Sequence, residues 1–138
     1  MPHPYIPLFA HARMVEDLLR GFIFKDRPEL DHLDFDGMTR VPDDWVPDGP
    51  RYADLTWCIP FRPHEPESEA THLLLLLKCE STVVPDMGQR LDRHAASLSR
   101  EVNRRRAFGA PTNPPLVTPV VIYNGAEPWH ATGAVRPA

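Results

Sequence analysis

Lysine is nearly missing from this chain: among 15 basic residues only Lys25 and Lys78 are lysines, and the rest are arginines. An excess of positive charge is missing too, because 19 acidic residues leave the chain at -4 with its histidines neutral. A strongly basic balance would advertise a nucleic-acid partner, and its absence confines any such contact to one face. Cysteine is reduced to Cys58 and Cys79, too few for a disulfide framework and without a CxxC spacing for zinc. The seven histidines stand without HxH or HExxH spacing, so no zinc site is expected. No stretch reaches the roughly 18 apolar residues a membrane helix needs. The opening MPHPYIPLF lacks the basic start and apolar centre of a signal peptide. The expectation is a cytoplasmic protein with no membrane contact.

Proline, in contrast, is abundant: 17 residues gather between the apolar runs and act as punctuation. With 138 residues, 42% of them hydrophobic, the chain is expected to form one domain over 1–138 with a core of its own. The stretch at its centre is Leu73 to Ser81, where five consecutive leucines run into Lys78, Cys79 and Glu80. A short apolar run bounded by polar residues predicts a strand buried on both faces. Charges at the end of such a strand are costly unless they have partners or a task.

Around that strand the chain reads as helix, irregular or short strand, strand, strand, helix, strand. Leu8 to Phe24 carries Val15, Leu18, Leu19, Phe22 and Ile23 at helical spacing, with Arg13, Glu16, Asp17 and Arg20 opposite. Those charges read as a solvated face, with a functional role left open for Glu16 alone. The acidic segment from Lys25 to Pro50 lacks the DxDxDG order of a calcium loop, and its aspartates read as turn formers. A short strand is expected around Met38 to Val41, with Trp45 and Val46 packed on the core. Arg51 to Arg62 alternates like a half-buried strand and stops at Pro60. Pro63 to Ala70 turns it back into an antiparallel pair with the leucine strand. Asp86 to Arg105 predicts a second helix buried along Met87, Leu91, His94, Ala95, Leu98 and Val102. Arg104, Arg105 and Arg106 at its end suit the helix dipole, and equally could grip phosphates. Leu116 to Tyr123 is a further buried strand, Asn124-Gly125 a turn, Trp129 a residue packing back, and the last residues a frayed tail. These elements predict an α/β fold, a mixed sheet with helices covering it.

The antiparallel pairing brings Asp54 near Lys78 and Glu80, which share one strand face at a spacing of two. Two carboxylates can hold Mg²⁺ through oxygen, and a lysine beside them can orient water or neutralise a transition state. A buried ion pair with no chemical role is the alternative. If Asp54 and Glu80 share a face, Cys58 lies on it and Cys79 on the other, so the two cysteines cannot form a disulfide.

The segments MVEDLLRGF (14–22), LDFDGMTRV (33–41), YADLTW (52–57), LLLLLKCESTVVPDMGQRL (73–91) and PVVIYNGAEPW (119–129) occur in that order. Together they resemble the recombination-promoting nuclease/transposase family, the YhgA-like group of bacterial proteins. That family belongs to the PD-(D/E)XK nucleases, whose restriction-endonuclease-like core runs helix, three strands, helix, strand. The resemblance implies a Mg²⁺-dependent DNA endonuclease, a hydrolase acting in DNA recombination. It places the catalytic aspartate at Asp54; the carboxylates this chain offers put the metal on Asp54 and Glu80, displaced from its family position, with Lys78 as the third catalytic residue. Where the family has Glu-x-Gln followed by Ser, this chain has Lys78, Cys79, Glu80 and Ser81, so the site's charges stand in exchanged order. A catalytically weakened or inactive member, serving as a DNA-binding or assembly module, is therefore the second expectation. The chain stops soon after Tyr123-Asn124-Gly125, where the family continues with more helix, so a shortened member is also expected.

Overall fold

Burying five leucines in a row requires cover on both faces of a strand, and the architecture supplies it. The computed structural model describes residues 4–23, 31–45, 54–62, 70–83 and 85–126. Strand β3 (His72–Glu80) lies inside a four-stranded sheet with β1 (Thr39–Arg40), β2 (Asp54–Pro60) and β4 (Leu116–Tyr123), ordered β1-β2-β3-β4. Each of Leu73 to Leu77 is at most 1% exposed. β1 and β2, and β2 and β3, pair antiparallel, whereas β3 and β4 are parallel. A parallel neighbour needs a crossover, and helix α3 (Met87–Arg105) makes it. Pro119 falls in β4 at the end of the strand order, where its missing N–H breaks no interior ladder.

One face of the sheet is covered by α1 (Tyr5–Phe9) and α2 (Ala12–Leu18). Phe9, Val15, Leu18 and Leu19 pack there against Leu55, Trp57, Ile59, Leu73, Leu75 and Leu77. Trp57 Nε1–H donates to the Phe9 carbonyl at 3.0 Å and ties α1 to β2. The other face lies under α3, whose Met87 and Leu91 meet Leu76, Val121 and Tyr123, and whose Leu98 and Val102 meet Cys58 and Leu74. The sheet is thus the middle of three layers, and the order of elements is helix, three strands, helix, strand.

Two expectations need correction. The single helix expected over 8–24 begins at Tyr5 and breaks at Ala10 and His11, where His11 is extended (φ -98°, ψ 127°) and starts α2. α2 then gives way to a π-helical turn, Leu19–Ile23. The wider turn carries later residues off the 3.6-residue phase, and Phe22 is 40% exposed instead of joining the core. Strand β2 is also buried on both faces: Thr56 and Cys58 are as covered as Leu55 and Trp57, because α3 and Val41 close the second side. Residues 63–69 of the turn expected over Pro63 to Ala70, the packing of Val46 and Trp129, and the tail lie outside the described residues.

Candidate active site

The leucine strand delivers its charges to one end of one face. Antiparallel register sets Asp54 opposite Lys78, Thr56 opposite Leu76 and Cys58 opposite Leu74. Directly opposed residues share a face, so Asp54, Lys78 and, two positions on, Glu80 occupy the α3 side of the sheet. The backbone of Asp54 is described and its side chain is not. Lys78 and Glu80 are half-buried, while Leu77 and Cys79 between and before them are fully buried toward α1 and α2. On the parallel side Lys78 is beside Val121 and Glu80 beside Tyr123, both buried. Lys78 and Glu80 therefore sit at the rim of an apolar wall, where water is partly excluded and charge interactions are stronger than in bulk.

The end of β3 is held from β4. The Asn124 N–H donates to the Glu80 carbonyl at 3.0 Å, and Ser81 Oγ–H donates to Asn124 Oδ1 at 2.9 Å. Gly125 follows in contact so close that a β-carbon would collide with the Ser81 carbonyl and with the ring and hydroxyl of Tyr123. The Tyr123-Asn124-Gly125 segment is more than the turn read from its sequence. It clamps the residue after Glu80, which a propensity argument could not show because the contact joins residues over 40 positions apart.

Other candidate residues resolve differently. Glu16 lies on α2, across the sheet from Lys78, and accepts from Arg20 Nε at 2.8 Å, so it is a surface helix pair. Asp34 accepts from the Asp36 N–H at 3.2 Å and caps a 3₁₀ turn, Phe35–Gly37, as a turn aspartate does. Arg104 and Arg105 both bond Glu101, and Arg105 also lies over the Trp45 ring at 4.5 Å. Trp45 in turn stacks on Phe108 at 5.6 Å, which meets His72 at 5.5 Å. Burial lowers the His72 pKa there, against the raising effect of the hydrogen bond that its ring donates to the Phe108 backbone.

The oxygen donors Asp54 and Glu80 suit a hard cation such as Mg²⁺, which takes one or two protein carboxylates and fills its other positions with water and phosphate. They stand diagonally across the β2/β3 pair, at a separation of about 7–8 Å between backbones. The register puts the two positions on one face of the sheet, with Lys78 directly opposite Asp54. Among the described residues, no three His, Cys, Asp or Glu side chains come together as a metal-holding group. No helix of the described residues is long and apolar enough to cross a membrane. Scans of protein-family models, curated proteins and solved structures found no match to this chain.

Proposed function

We propose that this chain is a Mg²⁺-dependent DNA endonuclease with a PD-(D/E)XK, restriction-endonuclease-like core, of the recombination-promoting nuclease/transposase type. The observation that carries the reading is the register that sets Asp54 opposite Lys78, with Glu80 two positions on along the same strand. The element order helix, three strands, helix, strand supports it, as do the five sequence segments that resemble that family. Asp54 and Glu80 would hold the ion, which when bound stabilises charge on the phosphate and lowers the pKa of a water. Lys78 supplies a point charge on the same face: its ammonium donates to a phosphate oxygen and offsets the negative charge that grows as water attacks phosphorus. Hydrolysis joins the water oxygen to phosphorus, breaks one phosphate ester bond, and leaves a phosphate end and a hydroxyl end. The buried neighbours Leu76, Val121 and Tyr123 on that face keep bulk water from screening that charge.

Supercoiled plasmid incubated with the protein, with Mg²⁺ or with EDTA, is the test. The expected result is nicking that requires Mg²⁺ and falls by roughly 100-fold in Asp54→Asn and in Lys78→Ala. Nicking that ignores the metal, or persists in Asp54→Asn, would overturn the reading.

The same register favours a second reading. An ammonium opposite Asp54 can neutralise it as an ion pair, leaving a DNA-binding or assembly module without turnover. Calorimetric titration separates the two: Mg²⁺ binding lost in Asp54→Ala belongs to the enzyme, and no Mg²⁺ binding by the wild type belongs to the module. Nicking by the Lys78→Glu, Glu80→Gln double variant alone would mark the exchanged order as the cause of inactivity.

A further inference from the structure

We infer that the solvent face of α3 is a surface for the phosphate backbone of nucleic acid. The chain is acidic as a whole, at -4, yet the segment from Met87 to Arg106 carries six arginines against Asp92 and Glu101. Three of the six, Arg93, Arg100 and Arg104, recur at i, i+7 and i+11, within an arc of about 40° on the helix. All three are exposed, and they stand opposite the buried stripe of Met87, Leu91, Leu98 and Val102. Between them the face carries the short residues Ala96 and Ser97, with Asn103 on one flank and Glu101 on the other.

The helix dipole accounts for arginines in the last turn but not for Arg93 or Arg100, which lie before it. Arg100 Nη2 donates to Ser97 Oγ at 3.1 Å, which lays its side chain along the face. Glu101 restrains Arg104 from the flank, and a guanidinium with five donors retains others for phosphate. Arg93 to Arg104 spans about 16 Å of helix, close to five base-pair steps at 3.4 Å each. Arginine suits the task better than lysine because its planar fork can pair two phosphate oxygens at once.

α3 covers the sheet face that bears Lys78 and Glu80, and its first turns pack over Leu76, Val121 and Tyr123 at that end. The arginines face away from the sheet, so a strand lying along them runs on the outer side of the helix whose first turns cover that end. The inference deepens the nuclease reading by placing its substrate, and it rests on that reading only for the choice of DNA as the polymer.

Fluorescence anisotropy of a labelled DNA duplex, measured in EDTA over a range of salt, tests the surface apart from turnover. The expected result is salt-sensitive wild-type binding whose log–log slope becomes shallower by about 2.5–3 in the Arg93→Gln, Arg100→Gln, Arg104→Gln variant, at about 0.9 per phosphate released. The matching triple Arg→Lys variant keeps the charge and recovers most of the slope. Arg13→Gln, exposed on the opposite layer, leaves it unchanged. An unchanged slope in the glutamine variant, no binding by the wild type at low salt, or capture by phosphatidylserine vesicles but not DNA would each overturn the inference. Binding with these properties but without nicking leaves the surface standing and removes only the nuclease reading.

Discussion

Glu101 lies on the flank of α3 within reach of two guanidinium groups. Arg104 donates to it from Nε at 3.2 Å and from Nη2 at 2.5 Å, and Arg105 from Nε at 2.7 Å. Those bonds pull its carboxyl from the ordinary 4.5 down to about 2. A carboxyl whose pKa is lowered by folding favours the fold while it is ionised. Its support for the end of α3 is therefore present above pH 4.5 and fades as pH falls through about 2. A carbon-13 titration is expected to place the Glu101 midpoint near pH 2, and Glu101→Gln removes that acid step from helix unfolding. A midpoint near 4.5 would mean that the pairing is absent in solution. Spacing of i,i+3 and i,i+4 brings such partners together, but read from the sequence Arg104 and Arg105 suit only the helix dipole or a phosphate, with no role given to Glu101. The antiparallel pairing read from the sequence brings Asp54 near Lys78 and Glu80; that Asp54 stands directly opposite Lys78 is set by strand register.

At the scale of elements, the junction of β3 with the end of β4 is the most constrained place described. Gly125 is required there by space: any β-carbon meets the Ser81 carbonyl and the Tyr123 ring. Gly21, in the π-helical turn, has nothing within 4 Å of where its β-carbon would be. Gly125→Ala is expected to cost about 1–3 kcal/mol in urea unfolding, as overpacking does. Gly21→Ala should be neutral or stabilising by up to about 1 kcal/mol, since it removes the glycine penalty in a helical segment. Equal effects of the two changes would show that the clamp on Ser81 does not form. The strands and α3 were readable from period and punctuation, Leu116 to Tyr123 to the residue. The break at Ala10 and His11 was not, because Ala and His carry no strong stop signal, and neither was the π turn that exposes Phe22.

At the scale of the whole molecule, the three layers decide the fate of the cysteines. Cys58 faces α3 and Cys79 faces α1 and α2, with the sheet between them, and both are buried and outside any disulfide. Burial pushes the Cys58 thiol up to about 12. A thiol reagent at pH 8 is expected to modify neither cysteine in native protein and both in denaturant without reductant. A denatured count below two thiols per chain would contradict the layer assignment. That opposition was foreseeable from parity along two strands, because side chains alternate with period two. What the sequence by itself determined is local: the doubly buried leucine strand, the amphipathic α3, the turns at proline and glycine, and the residue types at the candidate site. Period and chemistry are properties of neighbours in the chain. Only the tertiary structure decided that β2 is covered on both faces, that Asp54 stands opposite Lys78, and that Asn124 and Gly125 close on Ser81. Those are contacts between segments far apart in the chain, and their geometry is set by how the layers pack.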